Sequence, residues 1–169
     1  MPLTGKERAM TARFSGVAQW PIVAALGNLD RGEDDLAYFL IGRRRPTGGL
    51  AYATYLVDFH CLGVKNTFFH PRTDSADFEN MIERIFNGDP VSEVEPGALV
   101  AAVRGAETYA RDLGFEPHAD FRFSRLLLSG IEAVDPNPFT YGRNGKPFYV
   151  SGPRDDVQKV IERLTQAVG

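Results

Sequence analysis

The alternation of hydrophobic and polar residues predicts a β-hairpin in the first half of the chain. Residues 37–41 and 50–60 are rich in β-forming side chains, and the turn between them holds a proline and two glycines. Gly63 is expected to break or bulge the return strand, after which residues 64–69 either continue it or pair back on it. Residues 37–70 are therefore predicted to form two or three antiparallel strands.

A second hairpin is predicted near residues 138–150. The segments Phe139–Tyr141 and Pro147–Val150 flank an Asn-Gly pair at Asn144 and Gly145. Asn-Gly is a strong hairpin signal because both residues accept the positive φ angles of a type I′ turn.

The helical spacing of apolar residues predicts about four helices packed on an antiparallel sheet. Their expected ranges are 75–86, 97–113, 120–129 and 154–167. Thr4 and Glu7 have capping-box spacing, which predicts a short helix over residues 5–18. Residues 22–26 are compatible with either a strand or a helix, and residues 30–35 are predicted to form an acidic loop. The predicted fold class is α+β, in a single domain spanning residues 1–169.

Composition and charge indicate an ordinary soluble protein of 169 residues, with 43% apolar and 24% charged side chains. The net charge of −3 argues against a dedicated nucleic-acid-binding protein but leaves room for a local basic patch. A single cysteine excludes an internal disulfide, and the first residues lack the apolar core of a signal peptide. No apolar run approaches the roughly 20 residues that span a bilayer. We therefore expect a cytoplasmic protein without a membrane partner.

Side chains that could carry chemistry are densest at the end of the predicted return strand. Asp58, His60, Cys61, Lys65 and His70 lie within thirteen residues. Because successive side chains of a strand point to opposite faces, Asp58 and His60 share one face and Cys61 lies on the core face. Cys61 is expected to be a buried hydrophobe, so a nucleophilic thiol is the weaker option. Lys65 either binds an anionic group or is a solvated turn residue.

Two His/Asp pairs suggest a divalent-metal site. Asp58 and His60 form one pair, and His118 and Asp120 form the other. Mixed imidazole and carboxylate ligands suit metal-assisted hydrolysis, so this set predicts a phosphodiesterase-like or nuclease-like hydrolase. The structural alternatives are that Asp58 caps the turn at Gly63 and that Asp120 caps the helix that follows it.

Two groups of arginines are candidates for binding a partner. Arg43, Arg44 and Arg45 are expected at a hairpin tip, where they either contact an anionic partner or protect a sheet edge from aggregation. Arg122 and Arg125 are three residues apart on a predicted helix, so they share a face and could clamp an anion or pair with a nearby acid. Alternating aromatic residues on the strands either stack bases or simply fill half-buried positions.

Four segments together resemble a group of uncharacterised bacterial proteins. The segments are Phe-Leu-Ile-Gly-Arg-Arg-Arg-Pro (39–46), Leu-Val-Asp-Phe-His-Cys-Leu-Gly-Val-Lys-Asn (56–66), Gly-Phe-Glu-Pro-His-Ala-Asp-Phe (114–121) and Asn-Gly-Lys-Pro-Phe-Tyr-Val-Ser-Gly-Pro (144–153). The Cys-Leu-Gly-Val-Lys-Asn block is the most distinctive part, and the resemblance extends from about residue 20 to the end. It implies a bacterial, cytoplasmic, single-domain protein and no particular activity.

The sequence contains no complete catalytic signature. A phosphate-binding glycine loop, HExxH, paired CxxC motifs and GxSxG are all missing. We therefore expect an accessory binding protein that engages a protein or a nucleic acid. The alternative is the metal-assisted hydrolase that uses Asp58, His60, His118 and Asp120.

Overall fold

The centre of the protein is a five-stranded antiparallel sheet in the order β4-β3-β2-β1-β5. We describe it from a computed structural model, which covers residues 2–29 and 36–168. The strands are β1 Ile22–Gly27, β2 Leu36–Arg44, β3 Leu50–Asp58, β4 Gly63–Thr73 and β5 Ser92–Glu93. The first predicted hairpin is confirmed as β2 and β3, and β4 pairs back on β3. The ambiguous segment at 22–26 is a strand, and the acidic loop predicted at 30–35 lies outside the described residues.

The helices surround this sheet, and the α+β class is confirmed. They are α1 Gly5–Arg13, α2 Ser75–Phe86, α3 Pro96–Asp112, α4 Phe121–Ser124 and α5 Val157–Val168, with short 3₁₀ turns at Val17–Gln19 and Arg125–Leu128. The capping box of Thr4 and Glu7 is present, but α1 is shorter than predicted. It ends where Phe14 turns inward and is buried against Trp20 and Phe69. None of the helices in the described ranges has the length and apolar character that crossing a bilayer requires.

Both faces of β3 are buried, whereas the sequence pattern predicted a single core face. Ala53, Tyr55 and Val57 face a large core that includes α3 and the 3₁₀ turn at Arg125–Leu128. On the opposite face, Tyr52 is buried beneath Phe78 of α2. The alternation of side chains was therefore predicted correctly, but helices cover the sheet on both sides.

The second predicted hairpin, near residues 138–150, is wrong beyond its turn. Asn144 and Gly145 have the positive φ angles expected of a type I′ turn, and Arg143 and Lys146 form an isolated bridge around them. The flanking segments do not pair with each other, because their backbone groups bond elsewhere. The amide of Gly142 donates to the carbonyl of Phe59, and that of Phe148 donates to His60.

The turn between β3 and β4 packs tightly against α3 at Gly63. This residue has a φ angle of +68°, and a Cβ added there would lie 2.7 Å from the carbonyl oxygen of Ala106. Helix α5 completes this end of the molecule, because Val160 and Leu164 pack in one cluster with Cys61. The turn that carries most of the candidate chemistry is thus enclosed by α3 and α5.

Candidate functional site

Asp58 caps the turn between β3 and β4. Its carboxylate accepts hydrogen bonds from the amides of His60 at 2.9 Å, Cys61 at 3.2 Å and Leu62 at 3.1 Å. Burial raises the pKa of Asp58, against the opposing effect of these donors. Because β3 ends at Asp58, the prediction that Asp58 and His60 project side by side from one strand is wrong. The capping alternative is confirmed.

Cys61 is a core residue. Its side chain is fully buried among Ala110, Phe115 and Val160. Burial, followed by the nearby charge of Asp58, raises the pKa of the Cys61 thiol to about 12. A thiol that is enclosed and protonated at neutral pH is a poor nucleophile, so the interpretation of Cys61 as a small hydrophobe is confirmed.

Lys65 joins a polar network that the sequence did not reveal. Its Nζ atom lies 3.1 Å from the Oδ2 atom of Asp155. The hydroxyl of Tyr149 and the amide of Gly152 also donate to this oxygen, each at 2.7 Å. Burial raises the pKa of Asp155, but the three donors outweigh it and the net shift is downward. Nothing in the local sequence marks Asp155 as the partner of Lys65, because 90 residues separate them.

The second His/Asp pair is exposed. The Nδ1 atom of His118 accepts a hydrogen bond from the amide of Asp120 and lies 4.0 Å from its carboxylate. Asp120 occupies the N-cap position of α4, as that alternative predicted, but its side chain makes no capping hydrogen bond to the helix. Within residues 2–29 and 36–168, no three His, Cys, Asp or Glu side chains are grouped so that they could hold a metal ion. The structure therefore does not assemble Asp58, His60, His118 and Asp120 into one ligand set.

Arg43 is a buried structural residue, and its predicted place at an exposed hairpin tip is wrong. Its side chain is only 1% exposed, because β2 continues through Arg44 and Arg43 points into the core. The guanidinium donates to four backbone carbonyls, on Val17, Trp20, Leu127 and Ser129, at 2.6–3.2 Å. It thereby fastens both 3₁₀ turns to the sheet. Arg44 is exposed, as predicted.

Arg45 is half-buried and held in place by two aromatic rings. Its guanidinium lies 5.2 Å from the ring centre of Phe14 and 5.0 Å from that of Trp20. It also donates to the carbonyl of Pro71 in β4 at 2.7 Å. Burial lowers the pKa of Arg45, and the neighbouring positive charges of Arg13 and Arg72 lower it further. Arg13 of α1 and Arg72 of β4 thus lie near enough to Arg45, in the turn after β2, for their charges to act on it.

A second group of cations surrounds Phe123 of α4. Arg122 lies 4.6 Å and Lys6 lies 5.6 Å from the centre of this ring. Arg122 also lies 3.6 Å from Glu7, whose carboxylate feels the charge of Arg125 as well. Hydrogen bonds from Thr4, and then these two arginines, lower the pKa of Glu7.

A row of aromatic rings connects the two groups of cations. Phe14 contacts both Trp20 and Phe69, with ring centres 5.0 and 5.2 Å apart, and Phe69 stacks on Phe123 at 6.3 Å. We call the cations along this row the cationic strip. Its members are Lys6, Arg13, Arg45, Arg72, Arg122 and Arg125. All but Arg45 are exposed.

The other side of β4 carries an aromatic pair in which Phe68 is exposed and His70 is half-buried. Phe68 is 49% exposed, and its ring is within 13° of parallel to that of His70, with ring centres 6.1 Å apart. His70 in turn lies 5.3 Å from the ring of Tyr52. Because β4 is an edge strand, the aromatic pair and the cationic strip flank the same edge of the sheet. The sequence-based predictions did not single out this pair, although adjacent Phe68 and Phe69 on a strand must point to opposite faces of the sheet.

An open groove of about 530 Å³ lies elsewhere, between α3 and residues 133–141. It shares no residue with the cationic strip, and its wall is closed by Tyr141, whose hydroxyl donates to the carbonyl of Ala101.

Comparison with known proteins yields no relative of this chain. No protein-family model, curated protein or solved structure matches it.

Proposed function

We propose that this chain is a non-enzymatic binding protein that engages a single-stranded nucleic acid along the β4 edge. The observation that carries the proposal is the cationic strip, in which six basic side chains follow a continuous row of aromatic rings. Five of them come from α1, β4, α4 and the 3₁₀ turn at Arg125–Leu128, and Arg45 comes from the turn after β2. Phosphate contacts supply most of the affinity of such interfaces and require positive charge along a line rather than at one point.

The aromatic rings support this proposal because they restrict the cations before any partner arrives. Arg45 is held over Phe14 and Trp20, and Arg122 is held over Phe123. A guanidinium that is already oriented loses less side-chain entropy when it binds a phosphate, and its planar fork suits two phosphate oxygens.

The cationic strip is a local patch of positive charge on a chain that is acidic overall. The net charge is −3, so acidic residues elsewhere on the molecule outnumber the basic ones. A polyanion is attracted to the strip and repelled by the remaining surface, which confines binding to the β4 edge. This segregation of charge explains how an acidic protein can carry a nucleic-acid interface.

The exposed ring of Phe68, stacked on half-buried His70, favours a single strand over a duplex. Unpaired bases can stack on an exposed ring, whereas the bases of a duplex are already stacked on each other. A strand whose phosphates follow the cationic strip passes the edge of β4, where the ring of Phe68 is available to a base.

The test is fluorescence anisotropy with a labelled 20-nucleotide RNA, the matching DNA strand and the duplex, between 50 and 300 mM KCl. For a single strand, the logarithm of the affinity should fall with the logarithm of the salt concentration, by about 0.7 for each phosphate contacted. The double variant Arg13→Glu/Arg72→Glu should bind at least about ten times more weakly and lower this slope by about 1.4.

The matched control is Arg154→Glu/Lys159→Glu, which makes the same change in charge at two exposed residues outside the strip. It should leave binding close to that of the wild type. Absence of binding at 50 mM KCl, or an equal loss in both double variants, would overturn the proposal.

A further inference from the structure

The backbone of β4 directs some of its polar groups outward, because β4 is an edge strand that pairs only with β3. In an antiparallel ladder, the amide and carbonyl of one residue point together, either towards the neighbouring strand or away from it, and the direction alternates along the chain. The amide of Thr67 donates to the side chain of Asn66 at 2.9 Å, so Thr67 points away from β3. The register with β3 is regular over residues 66–70, so Phe69 points away from β3 as well.

The same edge is closed to a partner strand on both sides of Phe69. On one side, the Thr67 amide is already bonded, and the carbonyl of Val64 accepts from the amide of His118 at 3.0 Å. On the other side, Pro71 has no amide hydrogen, and its carbonyl accepts from Arg45 at 2.7 Å. A strand added to a sheet needs a continuous row of donors and acceptors, which this edge does not offer.

Three adjacent backbone groups remain open between these blocked positions. They are the carbonyl of Thr67 and the amide and carbonyl of Phe69, which we call the edge window. No group of another element in residues 2–29 and 36–168 forms a hydrogen bond with them. Along the strand, the window presents an acceptor, a donor and an acceptor. It is too short for a β-strand, but it matches the polar edge of one planar base.

The edge window lies between the two features that support nucleic-acid binding. The side chain of Phe69 contacts the rings of Phe14 and Phe123, over which arginines of the cationic strip lie. Its neighbour Phe68 projects from the opposite face of the sheet and is 49% exposed. A single strand whose phosphates follow the cationic strip therefore carries its bases past the window.

We propose that the edge window binds the Watson–Crick edge of an adenine, an inference that rests on the proposed function. The amino group of adenine donates to one of the two carbonyls, and N1 accepts from the Phe69 amide. The C2–H group faces the other carbonyl, where it forms a weak C–H···O contact. The Watson–Crick edges of guanine, cytosine and uracil each place at least one oxygen opposite a carbonyl oxygen of the window. In a duplex this edge of adenine is already paired, so the window requires a single strand.

The first test is fluorescence anisotropy of the wild-type protein with labelled nine-nucleotide RNAs that differ only in the central base. The other eight nucleotides are cytidines, so charge and length are constant and the strip contributes equally to every strand. A central adenine should bind at least about fivefold more tightly than a central cytosine. Hypoxanthine has an oxygen in place of the amino group and should lose this preference. 2,6-Diaminopurine has a second amino group for the second carbonyl and should bind at least as tightly as adenine.

The second test locates the base on the protein by amide hydrogen exchange, followed by NMR with ¹⁵N-labelled phenylalanine. The Phe69 amide has no acceptor in the described protein and should exchange at least about tenfold more slowly when the adenine strand is bound. The Phe68 amide is the control, because it points towards β3 and its exchange should be the same with the adenine strand and the all-cytosine strand.

The failure of this inference is distinguishable from the failure of the proposed function. If the adenine and cytosine strands bind equally well, or if the adenine strand does not slow exchange at Phe69, the edge window does not read adenine and the cationic strip still binds a single strand. If neither these strands nor the 20-nucleotide RNA binds at 50 mM KCl, both proposals are overturned.

Discussion

The ammonium of Lys65 in β4 contacts the carboxylate of Asp155, two residues before α5, at 3.1 Å. Tyr149 and Gly152 donate to the same carboxylate oxygen. This oxygen therefore gathers three donors, of which one lies on the sheet and two lie on the segment that leads into α5. The contact attaches the last helix to the edge strand of the sheet.

Replacement of Asp155 should destabilise the protein, and the loss of stability should depend on pH. Asp155→Ala removes the acceptor of three hydrogen bonds and should lower the free energy of unfolding by about 1–3 kcal/mol at pH 7. The pKa of Asp155 is lowered in the folded protein. The ionised carboxylate therefore makes its full contribution to the free energy of unfolding above the pKa of an unfolded aspartate, about 3.9. This contribution is lost as the pH falls through the lower pKa of the folded state. Urea denaturation at pH 7 and pH 3 measures the difference.

The control for this experiment is Glu79→Ala, which removes an exposed acid from α2. It should change the stability by less than about 0.5 kcal/mol at both pH values. A loss in Asp155→Ala that is equally large at pH 3 would show that the charge of Asp155 is not the cause.

Arg43 should be essential for folding rather than for binding. Arg43→Ala removes the guanidinium that donates to four backbone carbonyls and opens a cavity between the sheet and two 3₁₀ turns. We expect a loss of about 3–5 kcal/mol in the free energy of unfolding, from the lost hydrogen bonds and the cavity. The neighbouring Arg44→Ala, at an exposed position, should cost less than about 0.5 kcal/mol. Equal costs for the two variants in urea denaturation would contradict the structural role of Arg43.

Cys61 should resist alkylation in the folded protein. The thiol is fully buried and its pKa is raised to about 12, so it stays protonated at pH 8. Iodoacetamide should modify it at least about 100-fold more slowly than in 6 M urea, because reaction requires local opening. Mass spectrometry of timed samples gives both rates. Rapid modification of the native protein would restore the hypothesis that Cys61 is a nucleophile.

Gly63 should tolerate no side chain. In Gly63→Ala the new methyl would lie 2.7 Å from the carbonyl oxygen of Ala106 and would occupy a backbone region that favours glycine. We expect a loss of about 3 kcal/mol or more. Gly145 has a similar φ angle of +75°, but a Cβ added there would have no atom within 4 Å. Gly145→Ala therefore measures the cost of the backbone strain alone, which we expect to be about 1 kcal/mol. Thermal unfolding of both variants separates the clash from the strain.

Phe68 should contribute to binding but little to stability. Phe68→Ala removes a ring that is 49% exposed and should weaken single-strand binding by about 1–2 kcal/mol, roughly 5- to 30-fold. The salt dependence should stay unchanged, because no phosphate contact is removed. Phe148→Ala is the control at an exposed phenylalanine outside β4. Phe68→Ala and Phe148→Ala could instead bind the single strand equally well, with an affinity that still falls with salt. That result would show that the partner contacts the cationic strip without stacking a base on Phe68.

Local features were predictable because short-range chemistry determines them. The capping box at Thr4, the helix at Ser75–Phe86 and the tight turn at Asn144 and Gly145 depend only on neighbouring residues and on helical spacing. The strands on either side of that turn did not form, because their backbone groups found partners at Phe59 and His60 instead. No property of the turn itself reveals this competition.

The sequence by itself determined the α+β class, most of the helices, the alternation along β3 and the burial of Cys61, since each follows from the periodicity and polarity of adjacent residues. The tertiary structure alone decided the roles of the charged residues. Arg43 is buried because Val17 and Leu127 are brought over it, and Lys65 is paired because Asp155 is brought beside it. The partners of a charged side chain come from distant parts of the chain, so whether a charge becomes a structural bond or an exposed binding group is settled only when those parts pack together.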